Sequence, residues 1–319
     1  MSIFQLTLGQ MLLLFTLLLA GVILCKAKIL PEGSDTALSR LETYLLIPAL
    51  YFYTFMNHCT VRNFAENAHL LLYGSVICVV FILLAYPLSL LFVKQDGSTE
   101  RAYLRNVYKY AATFGNYGFV GNCIVLGIWG EEVFFQYSMF TFPLSVLGST
   151  WGLYVLIPKD AGKTSLLSVL KKGLLTPPVI ALVLGALVGL FGIAHYVPSF
   201  FVSAMSGAGD CMGPVAMVLS GFVIGRSKLS GLFGNVKVYV LSLLRLIALP
   251  AALSLILLLI KADSTVLRLA LIAFATPIGM NTIVYPSAYG GDSKTGASMV
   301  LVSSILSLIT IPIMCLIFL

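Results

Sequence analysis

Charged side chains are scarce in this chain, and their scarcity excludes most classes of protein. Only 10% of its 319 residues are Asp, Glu, Lys or Arg, whereas 59% are hydrophobic, and the mean hydropathy is +1.02. A chain of this composition does not stay in aqueous solution. The sequence therefore predicts an integral protein of a lipid bilayer. Lys and Arg number 19, against 12 Asp and Glu. In a membrane protein the position of basic residues along the chain indicates its orientation in the bilayer, and we predict no binding of nucleic acid.

Motifs for metals, cofactors and nucleotides are also missing. The six cysteines show no CxxC spacing, and His58, His69 and His195 are too scattered along the chain for a ligand set. No GxxxxGK[ST] loop occurs, so direct use of ATP is unsupported. We predict no metal site and no cofactor.

Ten apolar stretches are long enough to cross a hydrocarbon core of roughly 30 Å. They lie at about 8–25, 41–57, 70–93, 107–129, 134–157, 174–194, 201–225, 236–260, 266–289 and 295–318. Fifteen of the 19 basic residues fall in or beside alternate loops, which the positive-inside rule assigns to the cytoplasm; among them are Lys159, Lys163, Lys171, Lys172 and Lys228. We expect a multi-pass protein of the plasma (inner) membrane with both termini outside the cytoplasm.

Prolines and asparagines recur along the chain at a nearly constant spacing. Three pairs share offsets of 163 to 166 residues: Pro48 with Pro214, Pro87 with Pro250, and Asn116 with Asn281. Such an offset divides ten spans into five and five, and because five is odd, the second copy enters the membrane from the opposite side. We predict an all-α membrane protein of two inverted five-helix repeats, 1–157 and 174–319, joined by a cytoplasmic linker at 158–173. Chance matches among the many Pro and Gly residues of membrane helices are the alternative.

Both span 4 and span 9 contain helix breakers near their centres. Span 4 holds Gly115, Asn116, Gly118, Gly121 and Asn122, and span 9 holds Pro277, Gly279, Asn281 and Pro286. Paired interruptions of this kind are typical of a transporter's binding site, because lipid offers no hydrogen-bond partner to the backbone that a break releases. Close helix packing is the alternative explanation for the glycines. The predicted substrate-binding residues are Asn116, Asn281, Gly118, Gly121, Tyr117, Asn122, Pro277 and Thr282.

Carboxylates are absent from both broken spans, since residues 107–130 and 266–289 contain no Asp or Glu. A half-helix that begins after a break presents free N–H groups and partial positive charge, which attract an anion. The sequence therefore favours an anionic or neutral solute. Arg245, inside span 8, is a candidate counter-charge unless it extends to the membrane surface. Asp210, near the start of span 7, is a candidate for proton coupling.

An enzyme is the first alternative to a transporter. Gly207-Ala208-Gly209-Asp210 matches the GxGD of intramembrane aspartyl proteases, whose chemistry needs two carboxylates in one site. No other Asp or Glu is predicted to lie well inside a span, so we predict that the protein is not an enzyme. A channel or a solute-sensing receptor remains open, although two inverted halves favour a carrier.

Several motifs together resemble one family of transporters. These are Asn116-Tyr117-Gly118-Phe119-Val120-Gly121 followed by Trp129-Gly130-Glu131; Pro277-Ile278-Gly279-Met280-Asn281 followed by Tyr289-Gly290 and Asp292; and Leu46-Ile47-Pro48-Ala49-Leu50-Tyr51-Phe52. In order and in combination they resemble the auxin efflux carrier family, in its compact bacterial form, over essentially the whole chain. Cys123 stands where that family usually has proline, and the long hydrophilic loop of the plant members is absent.

The resemblance implies a fold of ten helices in two inverted repeats, with spans 4 and 9 broken and crossing, in outline like bile-acid symporters and sodium/proton antiporters. It implies a scaffold of spans 1, 2, 6 and 7 and a mobile transport domain of spans 3–5 and 8–10. Asn116 and Asn281 would stand beside the substrate carboxylate, and malate or malonate would be typical substrates. Protons are one possible coupling ion, and pairing through the scaffold helices is compatible with a homodimer.

Overall fold

Helices form nearly all of the described chain, which is residues 2–158, 175–226 and 233–319 of a computed structural model. The helices are α1 Ile3–Lys26, α2 Ser34–Leu41, α3 Ile47–His58, α4 Val61–Asn67, α5 His69–Phe92, α6 Thr99–Thr113, α7 Asn122–Leu147, α8 Leu153–Leu156, α9 Pro177–Leu190, α10 Ser199–Asp210, α11 Met212–Arg226, α12 Val236–Leu243, α13 Leu249–Leu259, α14 Ser264–Ala275, α15 Asn281–Tyr289 and α16 Ser293–Phe318. Four π-helical turns and one short 3₁₀ turn continue or join them: Glu42–Leu46, Tyr117–Gly121, Gly148–Gly152, Leu244–Ala248 and Ala194–Tyr196. The predicted linker, apart from Pro158, and Lys228 lie outside the described residues.

Six of the described helical segments are long and apolar enough to cross a membrane. They are Ile3–Lys26, Val61–Phe92, Tyr117–Leu156, Ser199–Arg226, Val236–Leu259 and Ser293–Phe318. α9 and α14 are shorter apolar helices. Each of the ten predicted spans overlaps helical structure, and a multi-pass membrane protein is confirmed; the arrangement of ten crossings as an inverted repeat stays a prediction.

The longest segment, Tyr117–Leu156, contains a sharp turn that divides it. Gly130 has a φ of +77° inside α7, a left-handed conformation that glycine adopts without strain. The turn falls between the predicted spans 107–129 and 134–157, which is where the sequence predicts one span to end and the next to begin.

Prolines explain two of the π-helical turns. Proline lacks an N–H, and its ring collides with the carbonyl four residues earlier, so a helix that continues through it must shift its hydrogen bonds. Pro48 and Pro250 each lie two residues beyond a π-helical turn. In such a turn the N–H of one residue bonds to the carbonyl five residues earlier; before Pro48, the Ile47 N–H donates to the Glu42 carbonyl. The helix from Ser34 to His58 is therefore continuous.

Glycines set two of the closest helix contacts. A Cβ on Gly221 of α11 would collide with the Leu18 carbonyl of α1, and a Cβ on Gly185 of α9 would come within 2.5 Å of the Phe52 carbonyl of α3. Small residues of this kind let membrane helices approach backbone to backbone. These helices correspond to predicted spans 1 and 7 and to predicted spans 6 and 2. The second pair is the first pair with each span replaced by its counterpart in the other predicted repeat.

The best-packed part of the molecule surrounds the two breaks. Every side chain of α14 from Leu269 to Ala275 is buried, whereas α1 and α9 expose many of their leucines and valines, as helices facing lipid do. All six cysteines are free, and Cys211 is exposed while Cys59, Cys78, Cys123 and Cys315 are buried. The candidate site therefore lies among buried helices and away from the surfaces that face lipid.

Candidate functional site

The two broken segments meet and satisfy each other's backbone. Gly115 and Ile278 pair as an isolated antiparallel β-bridge, and the Asn116 N–H donates to the Pro277 carbonyl at 2.6 Å. The Ile278 N–H donates to Ser303 Oγ at 3.0 Å. The amides of Asn116 and Ile278, which the breaks release, are thus paired inside the protein, since lipid offers them no partner. We call this meeting point, residues 114–117 and 276–280, the crossover.

Local sequence accounts for both breaks. α6 ends at Phe114, which is extended, with φ −106° and ψ 120°. α14 ends at Thr276, which is also extended, with ψ 154°, because a residue before proline is biased away from the helical region. A Cβ on Gly279 would lie only 3.1 Å from the Gly115 carbonyl oxygen. Glycine at position 279 therefore lets the two segments cross without displacing that carbonyl.

Arg245 lies beneath the crossover and is fully buried. Its Nη1 donates to the carbonyl of Phe274, and its guanidinium stands 5.6 Å from the centre of the Phe274 ring. That carbonyl is one of the last four of α14, which have no partner within the helix and carry the negative end of its dipole. The guanidinium therefore neutralises a helix C-terminus and does not extend to the membrane surface.

Two helix N-termini at the crossover remain uncapped. The half-helix that starts at Tyr117 follows Asn116, and α15 follows Met280; neither of these two preceding residues makes a side-chain cap. The amides of residues 117–119 find no hydrogen-bond acceptor among the described residues. In α15 the amides of Thr282 and Ile283 donate to the carbonyls of Gly279 and Met280, and both half-helices begin at the crossover with the positive ends of their dipoles.

A cavity of about 300 Å³ opens in front of these N-termini. It extends from the crossover to Thr43 beside α3 and Thr176 at the start of α9. Its described wall holds no Asp, Glu, Lys or Arg; the polar groups that face it come from Thr43, Tyr51, Tyr110, Asn116, Tyr117, Ser138, Ser145, Ser149, Thr176, Asn281 and Tyr285. An uncharged cavity with two positive helix ends is suited to a small anion.

Four of the predicted substrate residues line this cavity: Asn116, Tyr117, Gly118 and Asn281. The Asn281 amide donates to the Tyr110 hydroxyl at 2.9 Å, which fixes the direction of its side chain. A Cβ on Gly118 would meet nothing within 4 Å, so this position leaves open space for a ligand.

The other four predicted residues lie behind the cavity wall. Pro277 contributes its carbonyl to the crossover, and Thr282 Oγ1 donates to the Gly279 carbonyl at 2.8 Å. Gly121 makes room for the Tyr137 hydroxyl, which a Cβ would strike. Asn122 is buried, and its amide nitrogen has no hydrogen-bond partner among the described residues. These residues support the crossover and do not contact the cavity.

Arg245 and Asp210 are not brought together. Asp210, at the end of α10, lines a second cavity of about 420 Å³ with Gln10 and Glu131, whereas Arg245 lines neither cavity and forms no ion pair within the described part of the chain. The pairing of these two residues for proton coupling therefore receives no support.

Sequence reasoning missed two kinds of residue. Tyr110 and Ser138 line the cavity but occur in ordinary helical sequence, so no motif distinguishes them. Glu42, the second residue of predicted span 2, belongs to no motif, yet its side chain is fully buried. The polar start of the helix at Ser34, outside the apolar window 41–57, was the missing signal.

Comparison with known proteins agrees with this geometry. Residues 6–315 match the sequence model of the family described as membrane transport protein. A protein described as an uncharacterized transporter, from Methanocaldococcus jannaschii, is 25% identical over 285 residues, which cover 89% of each chain.

Proposed function

The chain belongs to the membrane transport protein family, and on that premise we propose that it carries a small organic anion across the cell membrane by alternating access. The resemblance to the auxin efflux carrier family is confirmed at the level of the family. A mono- or dicarboxylate such as malate or malonate is the proposed substrate, held at the crossover. Asn116 and Asn281 orient its carboxylate.

The pair of uncapped helix N-termini facing one uncharged cavity is the observation that carries this proposal. Each N-terminus acts as roughly half a positive charge, so that the two together approach one unit. At about 4 Å and an effective dielectric constant of about 20, one unit charge attracts a carboxylate by about 4 kcal/mol. That attraction lowers the dissociation constant of the carboxylate by roughly a thousandfold relative to a site without the charge.

The size of the cavity favours a small solute. Its volume of about 300 Å³ lies at the lower end of the range of roughly 300–1,000 Å³ that is usual for ligand pockets. Tyr51, Tyr110, Tyr117 and Tyr285 supply hydroxyl groups at its wall, which suit the oxygens of a short hydroxy acid or diacid.

Alternating access is supported by the way in which helix contacts recur. α1 packs on α11, and α3 packs on α9; these helices lie in spans 1, 7, 2 and 6, which form the proposed scaffold. The broken spans belong to the remaining helices, which form the proposed transport domain. With the predicted orientation, Thr43 and Thr176 lie toward the cytoplasm, so the cavity belongs to an inward-facing state. Both termini then lie outside, and the scaffold faces are available for a homodimer.

Transport by purified protein in liposomes tests the proposal. Uptake of a labelled dicarboxylate is expected, and Asn116→Ala and Asn281→Ala should each remove most of it. Asn57→Ala is the matched control, because Asn57 is exposed and lies outside both cavities. Normal uptake by both crossover variants would overturn the site. Flux far above carrier turnover would indicate a channel, and binding without flux would indicate a receptor.

A further inference from the structure

A buried carboxylate that the proposed binding site does not use lies in the second predicted span. Glu42 is the first residue of the π-helical turn Glu42–Leu46, and its side chain is 0% exposed. π-Helical turns inside α-helices occur frequently at functional sites. Its carbonyl accepts the N–H of Ile47, so the turn is a formed structural feature of the continuous helix.

Glu42 has no partner for either carboxyl oxygen. Neither Oε1 nor Oε2 accepts a hydrogen bond from any described residue, and none of the described ion pairs includes it. Buried carboxylates in native proteins are almost always paired or hydrogen-bonded, since an isolated ionised carboxylate out of water is very costly. A carboxyl group in such a place avoids that cost by binding a proton.

The position of Glu42 relates it to the moving parts of the proposed carrier. The next residue, Thr43, lines the cavity at the crossover. The π-helical turn also packs on α9, α10 and α11, which belong to the proposed scaffold. Glu42 is therefore carried by a turn that joins the proposed scaffold to the cavity at the crossover, and a movement of the crossover against the scaffold would change its surroundings.

Few titratable groups surround this position. α9 carries none, α10 ends at Asp210, and α11 ends at Arg226, which is already paired with Asp35. The remaining groups are Cys123 beyond the crossover, Arg40 and Tyr44 on the same helix as Glu42, and Tyr51, Tyr53 and His58 farther along it in α3. None of these described groups forms a bond with the carboxyl group, and a bound proton would keep it neutral.

We propose that Glu42 is the binding site of a proton that is coupled to solute transport. In the state described here its carboxyl group is neutral. When the crossover moves against the scaffold and admits water, the carboxyl group releases its proton to that water; on return it takes up a proton again. The inference rests on the proposed transport function, because coupling has meaning only in a carrier.

The protonation state of Glu42 is measurable without any substrate. Infrared difference spectroscopy of the purified protein, wild type against Glu42→Gln, should show the carbonyl stretch of a neutral carboxyl group at neutral pH, lost in the variant. Glu66→Gln is the control, because Glu66 is exposed and bound to Arg62. An ionised carboxylate signal from Glu42 would overturn the inference. This outcome is independent of whether the substrate has been identified correctly.

Coupling itself is tested in liposomes that carry a pH-sensitive dye. Wild-type protein should accumulate labelled dicarboxylate in response to an imposed pH gradient and should move protons only when substrate is present. Glu42→Gln should lose both responses while keeping substrate exchange at equal pH, and Glu66→Gln should keep all three. A pH-driven response in Glu42→Gln equal to that of wild type would refute the proposal. If exchange is also lost, Glu42→Asp must restore the pH-driven response, and its failure to do so would count against coupling.

Discussion

Adding a negative charge to a single cavity residue gives the sharpest prediction about the substrate. Asn281 lines the cavity and donates to the Tyr110 hydroxyl, and Asn281→Asp keeps the shape of the side chain and a hydrogen bond, since the hydroxyl can donate to a carboxylate. Residue 281 begins α15, where a negative charge is favourable by about 0.3–1 kcal/mol. The variant should therefore fold as stably as wild type.

The effect on the ligand should be large and opposite in sign for anions and cations. A carboxylate about 4 Å from a bound anion repels it by about 4 kcal/mol at an effective dielectric constant of about 20. The dissociation constant for a dicarboxylate should rise by about a thousandfold. Isothermal titration calorimetry of the purified variant measures this directly, with Asn57→Asp as the control. Unchanged affinity for the dicarboxylate in Asn281→Asp would refute the location of the site, and weaker binding of cations by the variant would contradict the electrostatic argument.

Two further substitutions test the surroundings of the crossover. Gly121→Ala places a methyl group against the Tyr137 hydroxyl and should lower the free energy of unfolding by about 1–3 kcal/mol. The measurement is the melting temperature, which should fall. An unchanged melting temperature would contradict the packing described for Gly121. Arg245→Met leaves the Phe274 carbonyl without a donor and should lower the free energy of unfolding by about 1–3 kcal/mol. It should also weaken anion binding, because the negative end of α14 is no longer neutralised. Equal affinity in a folded variant would show that this charge does not act on the cavity.

The sequence predicts the breaks themselves, because the signals for them are local. Glycine and asparagine shortly after Thr113, and proline after Thr276, disfavour the continuation of a helix, and both helices do end there. The boundary between spans 4 and 5 is equally local, since Gly130 alone supplies the turn.

Contacts between distant segments account for what the sequence does not reveal. Gly118 and Gly121 look equivalent in the sequence, yet one borders open space and the other makes room for Tyr137, which lies on the next span. Tyr110 becomes a cavity residue only because α15 lies beside α6. Glu42 shows the limit of apolar windows, since a carboxyl group at the second residue of such a window is buried by contacts that the window does not reveal.

The selectivity of uptake tests the central claim most directly. Liposomes containing the purified protein are offered, at equal concentration, a labelled dicarboxylate and its uncharged diamide, which has nearly the same size and shape. If two positive helix ends hold the substrate, the dicarboxylate enters and the diamide is excluded. Equal entry of both solutes, or entry of the diamide alone, would contradict the account.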